Sequence, residues 1–377
     1  MKITKIETFC YWIDWCNWLF VKVSTDEGIH GWGEGSIAGP IQATESAIHE
    51  LGQVLIGRDP AGVEQHWQRM YHAWRWRGGA IGQTALSALD IALWDIEGKR
   101  LGVPVYRLLG GPFRERHRVY ASHWLGGVKT PEEAYEGARE AVRRGFQGFK
   151  WIPLRAPDLR ENESAAIRKA AELMAAAREG AGPDVEIYIE CAEFLSPRTA
   201  VLAAEALGPY RPAWFEEPIP FENIQAMADL RERIGVPIAT GERLLSRFEF
   251  RDLLESGGAD IIQPDLMHAG GITEVRKIAA MADTYYVPVA PHNPTGPICN
   301  LAALHLSAAI PNFHVLEQME GERSLRDEIS THPIVYRDGY YELPTEPGLG
   351  TDLKLEVLAG REGKPHRMSG SSESLWW

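Results

Sequence analysis

Three short apolar stretches each end in a glutamate: Ile187-Tyr188-Ile189-Glu190, Ala213-Trp214-Phe215-Glu216 and Pro237-Ile238-Ala239-Thr240-Gly241-Glu242. Glu190 and Glu216 stand 26 residues apart, and so do Glu216 and Glu242. One strand, one helix and two turns use about that many residues, so the spacing predicts consecutive parallel strands with a carboxylate at the same end of each. Three converging anions repel one another unless a positive charge lies among them. Oxygen ligands of this kind suit a hard divalent cation, and Mg²⁺ is the expected one. The pattern predicts a metal-dependent barrel enzyme.

The same rhythm runs through the middle of the chain. Val119–His123 reads as a strand, Pro131 to Arg144 as a helix, Gly148–Lys150 as a strand and Asn162 to Ala177 as a helix. After the three carboxylate strands come Asp260–Asp265, Val287–His292 and His314–Glu317, which completes eight strands with intervening helices. The first part of the chain differs. Leu19–Val23 alternates like a strand, Asp26-Glu27-Gly28 is a turn, and Ile29–Glu34 reads as its partner. Helical periodicity follows over Thr44–Leu51 and Thr84–Asp95, the second helix stopping near Gly102 with Pro104 beyond. An α+β domain at residues 1–115, a barrel at 116–330 and a tail at 331–377 that runs back onto the first domain are expected.

At 377 residues the chain suits a barrel plus a smaller companion. A formal charge of −13 without a basic stripe argues against nucleic-acid binding and against adsorption to an anionic membrane. Cys10, Cys16, Cys191 and Cys299 form no CxxC pair, which fits a reducing cytoplasm and no zinc knot. The start leads straight into a strand-like segment, and no apolar run reaches membrane-spanning length.

Lys150, Glu190, Glu216, Glu242, Asp265, His292 and Glu317 all fall at the C-terminal ends of predicted barrel strands, where barrels of this type build their sites. Asp265 and His292 lie on adjacent strands. A carboxylate accepting one imidazole N–H would fix the tautomer and leave the other nitrogen to take a proton. On the next strand a protonated Glu317 would donate to a developing oxyanion. Tyr11, Trp12, Trp15 and Trp18 crowd a short aromatic stretch that either lines the pocket or packs between domains.

Ser87–Lys99, Leu108-Leu109-Gly110-Gly111, Phe215-Glu216-Glu217-Pro218, Gly241-Glu242-Arg243 and Pro264-Asp265 together resemble the signature stretches of the enolase superfamily, mandelate racemase subgroup. Within it, Gly31-Trp32-Gly33-Glu34, Leu55–Pro60, Asp260–Asp265 and His268–Glu274 are most similar to the galactonate dehydratases. The resemblance implies a modified (β/α)₇β barrel with an α+β capping domain, and Mg²⁺ held by Glu190, Glu216 and Glu242. It implies His292 as base with Asp265, Glu317 supporting an enediolate, and Lys150 neutralising charge near the substrate. The implied substrate is a small sugar acid of 2R configuration, losing water to give a 2-keto-3-deoxy acid. Related enzymes assemble as dimers to octamers, so a homo-oligomer is expected.

Three departures stand against that pattern. The leading ligand is Glu190 where the subgroup has Asp, so its longer arm must fold back, the metal must shift, or the match slips by one residue around Ser196-Pro197. Ala192 replaces the His that in galactonate dehydratases expels hydroxide; either His292 returns its own proton in a syn elimination, or Glu193, His123 or Cys191 replaces the missing group. Lys150-Trp151-Ile152 lacks the second lysine of the racemase motif, which disfavours a two-base racemase. His123, Glu193, Trp12 and Trp15 are the candidate substrate contacts. A cycloisomerase, lactone-processing or epimerising enzyme using the same enediolate is the alternative, and a non-catalytic sugar-acid binder the distant one.

Overall fold

The computed structural model describes residues 1–364. Strands β1 (Ile3–Trp12), β2 (Asn17–Thr25) and β3 (His30–Glu34) form an antiparallel sheet, with Gly28 at φ 80° in the turn before β3. Helices Ile41–Gly52 and Gly79–Leu101 pack on this sheet and on each other, and Val63–Ala73 packs on both of them. The third is buried on nearly every side because it is wedged between β3 and the barrel helix Gly271–Thr284. It ends at Gly102, whose φ of 69° gives the left-handed cap that glycine adopts without steric cost.

Close approach of β3 to that helix depends on glycine. A Cβ on Gly33 would lie 1.8 Å from the Ala88 carbonyl oxygen, and one on Gly31 would lie 2.1 Å from that of Ala92. Gly33→Ala is expected to destabilise the protein by about 3 kcal/mol, since a helix backbone rather than a side-chain tip must shift. A denaturation midpoint equal to wild type would refute this contact.

The second sheet is parallel. It runs through β4 (Arg116–Ser122), β5 (Gly148–Trp151), β6 (Glu186–Glu190), β7 (Trp214–Glu216), β8 (Ile238–Thr240) and β9 (Ile261–Ile262). Val289 then bridges both Ile262 and Phe313, and β10 (Leu316–Met319) pairs with β4, so the pairings return to their start. The expected seventh strand, Val287–His292, is reduced to the single bridge residue Val289. Pro288 and Pro291 flank it without N–H donors, which limits ladder formation. The helix expected from Asn162 begins earlier, at Ala156, and is kinked at Asn162 itself, where φ is −157°.

Alternation along these strands builds two levels inside the ring. Tyr120, Tyr188, Trp214, Ala239, Ile261, Ala290 and Val315 form one buried cluster, with Tyr188 and Trp214 stacked at 3.9 Å between centroids. Two residues further along, on the same face, stand Ser122, Glu190, Glu216, Gln263, His292 and Glu317. An aromatic floor therefore lies beneath a polar layer at the C-terminal mouth.

After β10 the chain adds a hairpin, β11 (Tyr336–Arg337) and β12 (Tyr340–Glu342), to the first half of β4. It then returns to the opening sheet. Leu349 N–H donates to Asp95 Oδ1 at 2.7 Å, and Asp352 Oδ1 meets His30 Nε2, Trp32 Nε1 and Lys99 Nζ at 2.9, 2.9 and 3.1 Å. The remainder of the expected tail, 365–377, lies outside the described residues. Among those described, no helix is long and apolar enough to cross a membrane.

Candidate active site

Glu190, Glu216 and Glu242 each offer an oxygen such that the three lie within 4.8 Å of one another. Glu190 and Glu216 are register partners on adjacent strands. Glu242 is brought in by a break in alternation: Gly241 adopts φ 127°, a conformation that favours glycine, and turns the next side chain to the mouth. The longer arm of Glu190 does fold back, its Oε1 accepting the Ala192 N–H at 2.7 Å.

Burial pushes all three carboxyls upward. Lys150 opposes this at Glu190 and Glu216, and His292 opposes it at Glu242, while Glu242 raises Glu190, Glu190 raises Glu216 and Glu216 raises Glu242. An all-oxygen set of buried, mutually repelling anions fits a hard divalent cation. The donor chemistry and the cation implied by the sequence therefore agree.

Lys150 closes one side. Its Nζ bonds Glu216 Oε1 and lies 3.2 Å from Glu190 Oε2 and 3.0 Å from Glu317 Oε1. Burial works against the ammonium, but Glu216 and Glu317 outweigh it and hold Lys150 charged well above its ordinary value. Trp214 Nε1 and Gln263 Nε2 donate to Glu216 Oε2 at 3.0 and 2.8 Å.

His292 closes the other. Its Nδ1 meets Asp265 Oδ2 at 2.8 Å, while Asp265 Oδ1 accepts the Met267 N–H at 2.7 Å and so cannot swing. Nε2 faces Glu242 Oε2 at 3.3 Å. Burial lowers the imidazole's affinity for a proton, but Glu242 and Asp265 reverse this and raise it to about 10.

Glu317 differs from the sequence expectation of a neutral donor. It accepts from Ser122 Oγ at 2.5 Å and from Asn293 N–H at 2.8 Å, beside the Lys150 ammonium. Burial would raise it, yet Lys150, His292 and these donors hold it well below the usual carboxylate range. It is an acceptor here.

The four expected substrate contacts separate. His123 follows β4, exposed at the mouth, with Nδ1 3.1 Å from Ser122 Oγ. It lines a cavity of about 340 Å³ with Trp151, Ile152, Arg155 and Phe194. Glu193 is instead tied to Arg243 Nε at 3.2 Å and to the Phe221 N–H at 3.0 Å. Trp15 is 56% exposed and donates from Nε1 to Glu322 Oε1 at 2.8 Å, just past β10. Trp12 turns toward the tail, under Lys364 Nζ at 4.5 Å. Tyr11 and Trp18 are buried and stacked, so they pack rather than line a pocket. A larger cavity of about 530 Å³, bounded by Val63, Trp94, Thr273 and Lys277, carries neither the carboxylate cluster nor the His292 dyad.

Residues 14–110 match the mandelate racemase / muconate lactonizing enzyme N-terminal domain, and residues 133–357 match the enolase C-terminal domain-like family. The chain belongs to the mandelate racemase/muconate lactonizing enzyme family of the enolase superfamily. It is 40% identical over 367 residues to a D-galactonate dehydratase of Pectobacterium atrosepticum, covering 96% of this chain and 94% of that one. With a D-galactonate dehydratase of Ralstonia pickettii the identity is 41% over the same shares. A solved enolase superfamily member from Salmonella Typhimurium superposes with TM-score 0.90 at 33% identity, covering 96% of this chain and 98% of that one. An enolase from Agrobacterium radiobacter, solved with sodium and L-malate bound, gives 0.89 at 33%, covering 99% and 98%.

Several supports of this mandelate racemase-type site stood in the sequence only as parts of the resembling stretches, with no role assigned to them. Arg243 Nη1 bonds both Glu217 and Glu242 at 2.5 Å, and Glu217 also takes Thr240 Oγ–H at 2.6 Å. Glu34, fully buried at the end of β3, accepts the Gly296 and Cys299 N–H groups at 2.7 and 3.0 Å. It thereby caps helix Pro297–Ala309 from the other domain and fixes the loop that carries His292.

Proposed function

We propose that the chain is an Mg²⁺-dependent dehydratase of an aldonic acid, acting like the D-galactonate dehydratases it resembles, as a cytoplasmic homo-oligomer. The observation that carries this is the carboxylate triad flanked by a charged Lys150 and an Asp-bound histidine. Glu190, Glu216 and Glu242 are the proposed ligands. Held by them, Mg²⁺ would supply positive charge that offsets these carboxylates and Lewis-acid stabilisation for a substrate carboxylate.

The chain's own groups do the rest. His292, oriented by Asp265, takes the α-proton on Nε2. Lys150 stays protonated among its carboxylates and lends a fixed positive charge to the substrate carboxylate, at no reorganisation cost during reaction. Glu317 acts through its partners: it fixes Lys150, Ser122 and the Asn293 backbone beside His292. The remainder of the sugar chain would extend toward His123 and its cavity, with Trp15 and Glu322 at the rim.

Ala192 is the observation that favours a second reading, an isomerase that forms the same enediolate and expels nothing. A panel of aldonates with Mg²⁺, D-galactonate included, separates the two. A 2-keto-3-deoxy acid, detected as its semicarbazone, is expected from at least one member. Deuterium uptake from solvent, or ring conversion, with no loss of water across the panel would overturn dehydration in favour of isomerisation.

A further inference from the structure

We propose that His123 is the general acid that expels the 3-hydroxyl, a role that rests on the dehydration reading above. Two of the three replacements for the missing histidine at Ala192 are committed elsewhere. Glu193 is held by Arg243 and by the Phe221 N–H. Cys191 is fully buried in the apolar layer outside the strands, away from the mouth. His123 is left.

Its backbone shows why it reaches the mouth. Ser122 points into the ring, so strict alternation would send the next side chain outward among the helices. His123 instead takes φ 51°, a left-handed conformation that is uncommon outside glycine. That turn keeps the imidazole beside Ser122 and on the wall of the 340 Å³ cavity.

The hydrogen bonds then fix which nitrogen does the work. Ser122 has one hydroxyl proton, and it goes to Glu317 Oε1 at 2.5 Å. Glu317 is itself an anion, so the direction of that bond is set. Ser122 Oγ can therefore only accept from His123 Nδ1, 3.1 Å away. Nδ1 carries its proton in either charge state, and Nε2 has no partner among the described residues. The relay from Glu317 through Ser122 favours the imidazolium. Lys150 opposes it. Although the residue is exposed at the mouth, enclosure of its ring by the cavity wall and Lys150 together hold the ring below its ordinary value, while Glu317 pulls the other way. An imidazolium of lowered proton affinity is a good donor to a departing oxygen.

The step balances as follows. The C2–H bond breaks, its proton going to His292 Nε2 and its electron pair into the enediolate. That pair returns to form C2=C3 as the C3–O bond breaks. The Nε2–H proton of His123 joins the leaving oxygen, which departs as water. The enol then gives up its O–H proton to solvent and takes one at C3 to become the 2-keto acid, and solvent in the cavity carries the proton on His292 back to His123.

Leaving-group dependence tests this. The probes are D-galactonate, or whichever aldonate of the panel wild type dehydrates, and its 3-deoxy-3-fluoro analogue, whose fluoride needs far less acid assistance. His123→Gln is expected to lose about 10²–10⁴-fold in keto acid formation from the hydroxy substrate. Solvent deuterium exchange at C2 should stay within a few-fold of wild type, and fluoride release should fall no more than about tenfold. Water loss that survives in His123→Gln overturns the assignment alone. Equal loss of water and fluoride release overturns it too, in favour of a merely structural histidine. Wild type that exchanges the α-proton yet yields no keto acid from any aldonate overturns the dehydration reading, and the assignment with it.

Discussion

His292→Asn is expected to slow exchange of the substrate α-proton by about 10²–10⁴-fold, the usual weight of a positioned general base. The measurement is loss of the C2 proton signal in deuterated water, followed by NMR with Mg²⁺ present. Asparagine keeps a polar head near Asp265 but has no nitrogen able to accept a proton. The geometry makes the base role hard to replace. Asp265 is locked by the Met267 N–H on one oxygen and His292 Nδ1 on the other, so a single imidazole nitrogen is presented to the mouth. Mg²⁺ affinity, measured by titration calorimetry, should stay within a few-fold of wild type because all three proposed ligands remain. Exchange at the wild-type rate would remove His292 as the base. A large loss of metal affinity would show instead that His292 serves mainly to fix Glu242, which it meets at 3.3 Å.

The strand-end residues were legible in sequence because a parallel barrel converts chain spacing into spatial convergence. Glu190, Glu216, Asp265, His292 and Glu317 needed only the right count and the right parity. Glu242 has the right count but the wrong parity, and Gly241 repairs it with a backbone turn that only a glycine position suggests. What pattern could not show is pairing between side chains far apart in the chain. Glu193 looked free in sequence and is bound by Arg243, 50 positions later. Ser122 looked like strand filler and carries the link between Glu317 and His123. Glu34 belongs to the other domain altogether, and its carboxylate reaches a helix more than 260 residues away. The aromatic stretch near the start failed for another reason. Its residues alternate along a hairpin, so Tyr11 and Trp18 turn into the core while Trp15, at the hairpin's tip, reaches the rim. The sequence reading set Trp12 and Trp15 apart as candidate contacts, yet Trp12 turns toward the tail and Trp15 alone of the four reaches the rim.

The other large effect is expected at Glu216. This carboxylate is wholly buried and receives the Lys150 ammonium, the Trp214 indole N–H and the Gln263 amide. Glu216→Gln keeps the volume and removes the charge. Loss of groups that only support a metal ligand typically costs about 10–100-fold in affinity, so loss of a ligand's charge should cost more than about 100-fold here. Turnover should fall with it. Folding should respond differently. Without a cation the three carboxylates repel one another, and burial already penalises each. Removing one anion relieves that repulsion but takes from Lys150 its nearest partner, leaving Glu190 and Glu317 to hold the ammonium. The two changes oppose each other, so the melting temperature in chelator should move little compared with the loss of Mg²⁺-induced stabilisation. A Glu216→Gln variant that still gains wild-type stabilisation from millimolar Mg²⁺ would show that the cation sits elsewhere. One that unfolds outright in chelator would show that Glu216 matters chiefly as the partner of a buried lysine.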